Sequence, residues 1–204
     1  MSVISTPMDD APSAGRKQLT HDRILDTAAR VLRKSGFGGV GVADIMKRAG
    51  LTHGGFYAHF ASRDALLAEA LVRAGQDSQA RLQRSVATAE AKSHSSFRAL
   101  VESYLAERHL ESPESGCPVA ALASELPRQS DAVRAAGAAR IASLIAAVQD
   151  VLPPGSTAET AGIVASQLVG ALQIARTLGP NARGKRHLAA SRKFLLEQFE
   201  SARR

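Results

Sequence analysis

The sequence predicts an all-α fold of about nine helices, and three observations carry that expectation. Apolar residues recur at three- and four-residue intervals through most of the 204-residue chain, the spacing that lays them on one face of a helix. No stretch alternates polar and apolar residues with period two over a useful length, so a sheet has no segment to start from, and no internal repeat is present. Helix punctuation falls between the apolar sets, at Gly36, Gly50, Pro118 and the run Pro153-Pro154-Gly155.

Taken in order, residues 1 to about 18 are rich in Ser, Pro and Ala and read as a mobile arm. Thr20 is placed to cap a first helix whose stripe is Ile24, Leu25, Ala28, Val31 and Leu32, and Gly36 ends it. Val42, Ile45 and Met46 give a short second helix stopped by Gly50. Thr52 is placed to cap a third, which runs through Phe56, Tyr57 and Phe60. Ser62 opens a long fourth helix, 63 to 91. A fifth spans 95 to 110 and breaks at 111–116, ESPESG. Pro118 suits the first position of a short sixth helix ending near Pro127. Ser130 and Asp131 open a seventh, with Val133, Ile141, Leu144, Ile145 and Val148 as its apolar set. Ser156 and Glu159 have the spacing of a capping box for an eighth, and a ninth begins near Lys185.

Residues 41 to 66, GVADIMKRAGLTHGGFYAHFASRDAL, read as two short helices joined at about a right angle, a shape that enters a DNA major groove. The outward residues Thr52, His53, Tyr57 and His59 are hydrogen-bonding types, with Lys47 and Arg48 close by. Thr52, His53, Gly54 and Gly55 stand at the N-terminal end of the second helix, where base edges are reached, and the two glycines let the backbone approach the duplex. Tyr57 and His59 suit phosphates, which fix register, while Phe56 and Phe60 belong to the core. The charge agrees. The chain carries +7 overall, with nine Lys/Arg against three Asp between Arg16 and Arg63, so attraction to a polyanion concentrates at this end.

From about Thr20 to Leu66 the chain resembles the DNA-binding domain of the TetR (tetracycline-repressor-type) family, through RILDTAARVLRKSGF, VADIMKRAGLTHGGFYAHF and SRDALL. One position departs from the family pattern: Gly41 stands where a Ser or Thr usually caps the first helix of the pair and touches a phosphate. The resemblance implies a DNA-binding transcriptional regulator, a repressor released from a palindromic operator by a small molecule. It also implies three segments: the arm at 1–18, a helix-turn-helix domain at 19–66, and an effector-binding and dimerisation domain at 67–204. Arg63 is by the same resemblance a further phosphate contact.

In the C-terminal part, Ile163, Val164, Leu168, Ala171, Leu172 and Ala175, with Gly170, form a broad apolar side that one copy has too little material to cover. An isologous four-helix contact would bury it, as TetR-like proteins do. Leu168, Leu172, Ala175 and Phe194 are the expected interface, joined by Leu188, Leu195 and Phe199. The family also implies an effector pocket, for which the candidates are Phe97, Leu100, Tyr104, Leu105, Leu122, Leu126, Ile145 and Gln167.

Several classes are disfavoured. The single Cys117 excludes an intrachain disulfide and fits a reducing cytoplasm. The N-terminus lacks a basic flank and a long apolar centre, and the apolar stretch Ala161 to Ala175 is interrupted by Ser166, Gln167 and Gln173, so no export signal or membrane span is expected. The six histidines, including His94, are scattered without an i, i+4 pair, and no Gly-rich phosphate loop follows a strand; no metal, cofactor or catalytic centre is expected. Cys117, before Pro118 at a helix start, is a candidate redox residue and gives an alternative reading as a thiol-sensing repressor, with a Cys117/His109 pair spatially conceivable. A second alternative is a TetR-like adaptor that does not read DNA.

Overall fold

Two apolar cores, joined by one long helix, organise the chain. The computed structural model describes residues 11–39, 41–92 and 95–200, with the backbone alone for 11–14. Among them the regular elements are all helical: α1 (Ala11–Ser35), α2 (Val42–Arg48), α3 (Arg63–Glu90), α4 (Ser96–Tyr104), α5 (Glu107–Glu111), α6 (Pro118–Leu122), α7 (Asp131–Gln149), α8 (Ala158–Leu178) and α9 (Ala182–Glu200). Short 3₁₀ segments stand at His53–Ala58, Pro113–Ser115 and Leu126–Arg128.

The head core is built from Ile24 and Leu32 of α1, Ile45 and Met46 of α2, Phe56 and Phe60, and Leu66, Leu67 and Leu71 of α3. The body core joins Phe97, Leu100 and Tyr104 of α4 to Val164, Leu168 and Leu172 of α8 and Leu188 and Leu195 of α9. At 28 residues, or about 42 Å at 1.5 Å per residue, α3 reaches both. Its first turns bury Leu66, Leu67, Ala70, Leu71 and Ala74, and its later residues Leu82 and Val86 pack on the body. Ser62 caps it, its hydroxyl accepting from the Ala65 amide at 3.1 Å. The expected boundary at 66/67 therefore falls inside a helix, and Leu122, Leu126 and Val133 from the C-terminal part complete the head core.

Elsewhere the elements differ from expectation for identifiable reasons. Helix α1 begins at Ala11, so the part of the expected arm from 11 to 18 is helical, while residues 1–10 lie outside the described residues. Thr20 is no cap: its hydroxyl donates to Arg16 O at 2.9 Å, one turn back inside α1. The expected fifth helix divides at Ala106, whose extended backbone separates α4 from α5. There the Tyr104 carbonyl bonds the His109 ring at 2.6 Å, in place of a helical amide. Helix α8 is capped one residue later than expected, by Thr157, whose hydroxyl accepts from Thr160 N at 3.2 Å. Ser130 precedes α7 without a side-chain cap bond, and α9 starts at Ala182.

The expected dimer residues need the largest correction. Leu168, Leu172 and Ala175 are fully buried within one copy, where they form the body core and cannot meet a second one. Phe194 alone of the four is available, at 50% exposure. Helix α8 is apolar on nearly every side, long and apolar enough to cross a membrane by composition, and sequence periodicity cannot choose which stripe faces inward. In the structure Ala161, Val164, Leu168 and Leu172 face in, leaving Ile163 and Ile174 61% and 51% exposed on the other side.

Candidate nucleic-acid interface and regulatory cavity

The head presents one polar face over a rigid apolar base. Gly50, at φ +70°, makes the turn after α2, a left-handed conformation that glycine adopts without strain. The expected third helix is instead the six-residue 3₁₀ segment, which fits the low helix propensity of its paired glycines. Phe56 and Phe60 stack inward with ring centroids 5.7 Å apart, and this anchors the segment. Thr52, His53, Gly54 and Tyr57 are exposed, Tyr57 at 73%, and Lys47 is exposed on the last turn of α2. A side chain at Gly54 would meet open space, so a partner's backbone can come close there. Thr52 makes no side-chain cap bond, which leaves its hydroxyl unused by the helix start. Gly41 caps α2 with its backbone alone, as its lack of a side chain requires.

Two candidates are less open. His59 is half-buried, its Nδ1 enclosed without a hydrogen-bond partner, and burial, with His21 and Lys17 nearby, holds its pKa below the ordinary histidine value. Arg63 donates from Nη2 to the Phe37 carbonyl at 2.7 Å and remains 43% exposed. Part of its donor set is committed within the head.

The Phe37 peptide group is held from both sides. Its amide donates to Glu125 Oε2 of the body at 3.0 Å, while its carbonyl receives Arg63. Gly36, at φ +69°, has no side chain where Glu125 approaches; a Cβ there would lie 2.5 Å from Oε1. A second link runs through Arg33, a buried cation on α1. Its Nη1 donates to Ala74 O and Gly116 O at 3.3 Å each, and its Nη2 lies 3.5 Å from Asp77. Burial lowers its pKa, and Asp77 opposes that shift. The sequence signal for Arg33 was a charge four residues after Ala29 on the buried side of α1, and it passed unread.

Gly116 leads directly to a cavity. Ser78, Leu82, Tyr104 and Cys117 form a wall shared by two adjoining hollows, with cavity volumes of about 40 Å³ and about 160 Å³. Gly75, Arg140, Leu144 and Val119 also line the first, and Arg81, Arg108 and His109 the second. Of the expected pocket residues only Tyr104 lies here. Leu122 and Leu126 belong to the head core, Phe97 packs on Phe199 at 5.5 Å, and Leu100, Leu105 and Ile145 sit in or against the body core. Gln167 is on the outer face of α8 and α9, beside Gly170, Ile174 and Phe194. The outward turn at Ala106 brings in Arg108 and His109, which sequence periodicity had placed inside a continuous helix.

Within the wall, Tyr104 is 4% exposed and its hydroxyl lacks a hydrogen-bond partner. Burial first, and then Cys117, pushes its pKa well above the usual phenol value. Cys117 is also 4% exposed and occupies the N-cap of the five-residue α6, making no side-chain cap bond. Its amide donates to His109 Nε2 at 2.9 Å. With Nδ1 on Tyr104 O, both ring nitrogens of His109 are engaged, so neither is free to take a thiol proton. Burial is the main cause that lowers His109 to about 4; Arg176, Arg81 and Arg108 add to it.

The sequence and the fold have counterparts among known proteins. A family model described as bacterial regulatory proteins, tetR family, matches residues 24–70. An uncharacterised helix-turn-helix-type transcriptional regulator of Mycobacterium tuberculosis is 27% identical over 166 residues, 76% of this chain and 83% of the relative. A TetR-family transcriptional regulator from Agrobacterium tumefaciens has a similar structure, with TM-score 0.71, 23% identity, and coverage of 90% of this chain and 98% of that one. A TetR regulator from Chloroflexus aurantiacus gives TM-score 0.70 at 22% identity over 89% and 94% of the two chains.

Proposed function

Since this chain is a transcriptional regulator of the TetR family, we propose that it acts in the cytoplasm as a homodimeric repressor, released from a palindromic operator by a small molecule. The observation that carries the reading is the exposed polar edge Thr52, His53, Gly54 and Tyr57, mounted on the Phe56–Phe60 stack in the basic end of the chain. Thr52, His53, Gly54 and Gly55 reach base edges; Tyr57, Lys47, Arg63 and the free side of His59 hold phosphates. Two copies joined through Ile163, Ile174 and Phe194 set their recognition segments about one duplex turn apart, roughly 34–36 Å, so the operator is an inverted repeat.

The effector acts from the cavity beside Cys117. Gly116 carries the carbonyl that Arg33 of α1 grips, and α6, which starts after Cys117, leads to Glu125, which grips Phe37. A ligand that displaces this segment tilts each head, and it shifts the equilibrium only by its differential affinity for the two head spacings. Selection from random duplex DNA tests the reading. An inverted repeat should emerge; His53→Ala should relax base preference at one position per half-site, while Lys47→Ala should weaken all sequences alike and reduce the salt slope by about two, one for each subunit. Failure to retain any duplex at low ionic strength would leave the adaptor role instead.

A further inference from the structure

Resting on the reading that the effector occupies the cavity beside Cys117, we propose that this site takes a small organic monocarboxylate with an apolar body. Its carboxylate is received by Arg140, and the Tyr104 hydroxyl donates to an acceptor on the ligand. The positioning of Arg140 is specific. Its side chain lies across α3 where Gly75 leaves room, so close that a Cβ on residue 75 would come within 2.2 Å of the Arg140 Cδ. Its Nε is buried without a hydrogen-bond partner, a state that costs free energy until an acceptor arrives. Among the described residues no acidic one lines either hollow, and the second adds Arg81 and Arg108 to the same side of the charge balance.

Those facts select the ligand's charge, and the remaining wall selects its shape. A cation would meet three guanidinium groups and no carboxylate. A neutral apolar molecule would leave both the Arg140 Nε and the Tyr104 hydroxyl unpartnered. A compact multivalent anion would place charge against Leu82, Val119 and Leu144. A monocarboxylate pairs its head with the guanidinium fork, in the charge-assisted geometry that carboxylates favour, and lays its body along those apolar residues. Tyr104, with a phenol held neutral by burial, can only donate or accept a hydrogen bond there.

Calorimetric titration of the full chain with benzoate, phenylacetate and hexanoate, each beside its neutral amide, tests the assignment. At least one acid should saturate a single site per chain at least tenfold more tightly than its amide. Arg140→Gln should remove that preference, Arg140→Lys should keep part of it, and Tyr104→Phe should weaken acid and amide together. Equal affinity of acid and amide, an unchanged preference in Arg140→Gln, or no binding of any of the three acids at millimolar concentration overturns it. Operator release is measured separately. Acids that bind in this pattern yet leave the DNA complex intact would sink the release reading and leave the site standing; release by other compounds, with no acid bound, would do the reverse.

Discussion

His109 shows how a single side chain ties stability to pH. Burial above all keeps it neutral in the folded chain, and with Nδ1 donating to Tyr104 O and Nε2 accepting from Cys117 N a second ring proton would also face an amide hydrogen. The folded value is near 4 and the ordinary one 6.5. Above 6.5 neither state holds the proton; as pH falls from there toward 4 the unfolded chain takes it up first, and stability falls, by up to about 3 kcal/mol. Denaturation midpoints between pH 7 and pH 4 should therefore drop more steeply for the parent than for His109→Gln, and equal slopes would show that another group governs the acid limb. The sequence offered His109 only as one of six scattered histidines. Its meeting with Cys117 depends on the chain turning back through 111–116, which no periodicity encodes. Arg33 and Arg140 were equally illegible, because the apolar pattern says where a helix is buried but not which neighbouring carbonyl or cavity a long cationic side chain will reach.

At the scale of elements, the helical segments were readable because their apolar spacing and end signals agreed; Ser62 and Gly36 mark the start of α3 and the end of α1 as written. Errors arose where competing local bonds decided. The Tyr104–His109 bond broke the fifth helix, and the glycine pair left the recognition segment as a 3₁₀ turn. The link between head and body is also an element-scale feature, for the α1–α2 connection is fastened at Phe37 by Glu125 and Arg63. Glu125→Ala leaves the Phe37 amide without its acceptor and loosens α1 from the 3₁₀ segment that follows α6. Effector should then change operator affinity several-fold less than in the parent, since coupling of this kind amounts to about 1–3 kcal/mol. Fluorescence anisotropy on operator DNA, with and without effector, reads that ratio. An unaltered ratio would place the coupling elsewhere.

The whole molecule turns on the outer face of α8 and α9. Ile163, Ile174 and Phe194 stay exposed beside a concave strip that includes Gly170 and Ala190, an apolar area that favours a second copy. Ile174→Glu should yield monomers by sedimentation velocity. Operator affinity should fall by about 10² or more, because each head would then bind its half-site without the effective concentration its partner supplies. A dimer that survives Ile174→Glu and Phe194→Asp together would assign association to another surface. The sequence put the contact face on the last two helices and chose a stripe of α8 that the body buries: an evenly apolar helix signals that it is covered all round, and only the packed body shows which side is left over.

One consequence follows from Leu122, Leu126 and Val133 filling the base of the head. The DNA-reading unit is not a detachable cartridge. Cutting the chain after the first turns of α3 would strip three large side chains from beneath α1 and α3, and a chimera that grafts this reader onto a relative's sensor must bring along residues 122–133 as its floor. Substitution in such a scaffold is correspondingly confined, because the strip that holds Leu122, Leu126 and Val133 must stay matched to both halves.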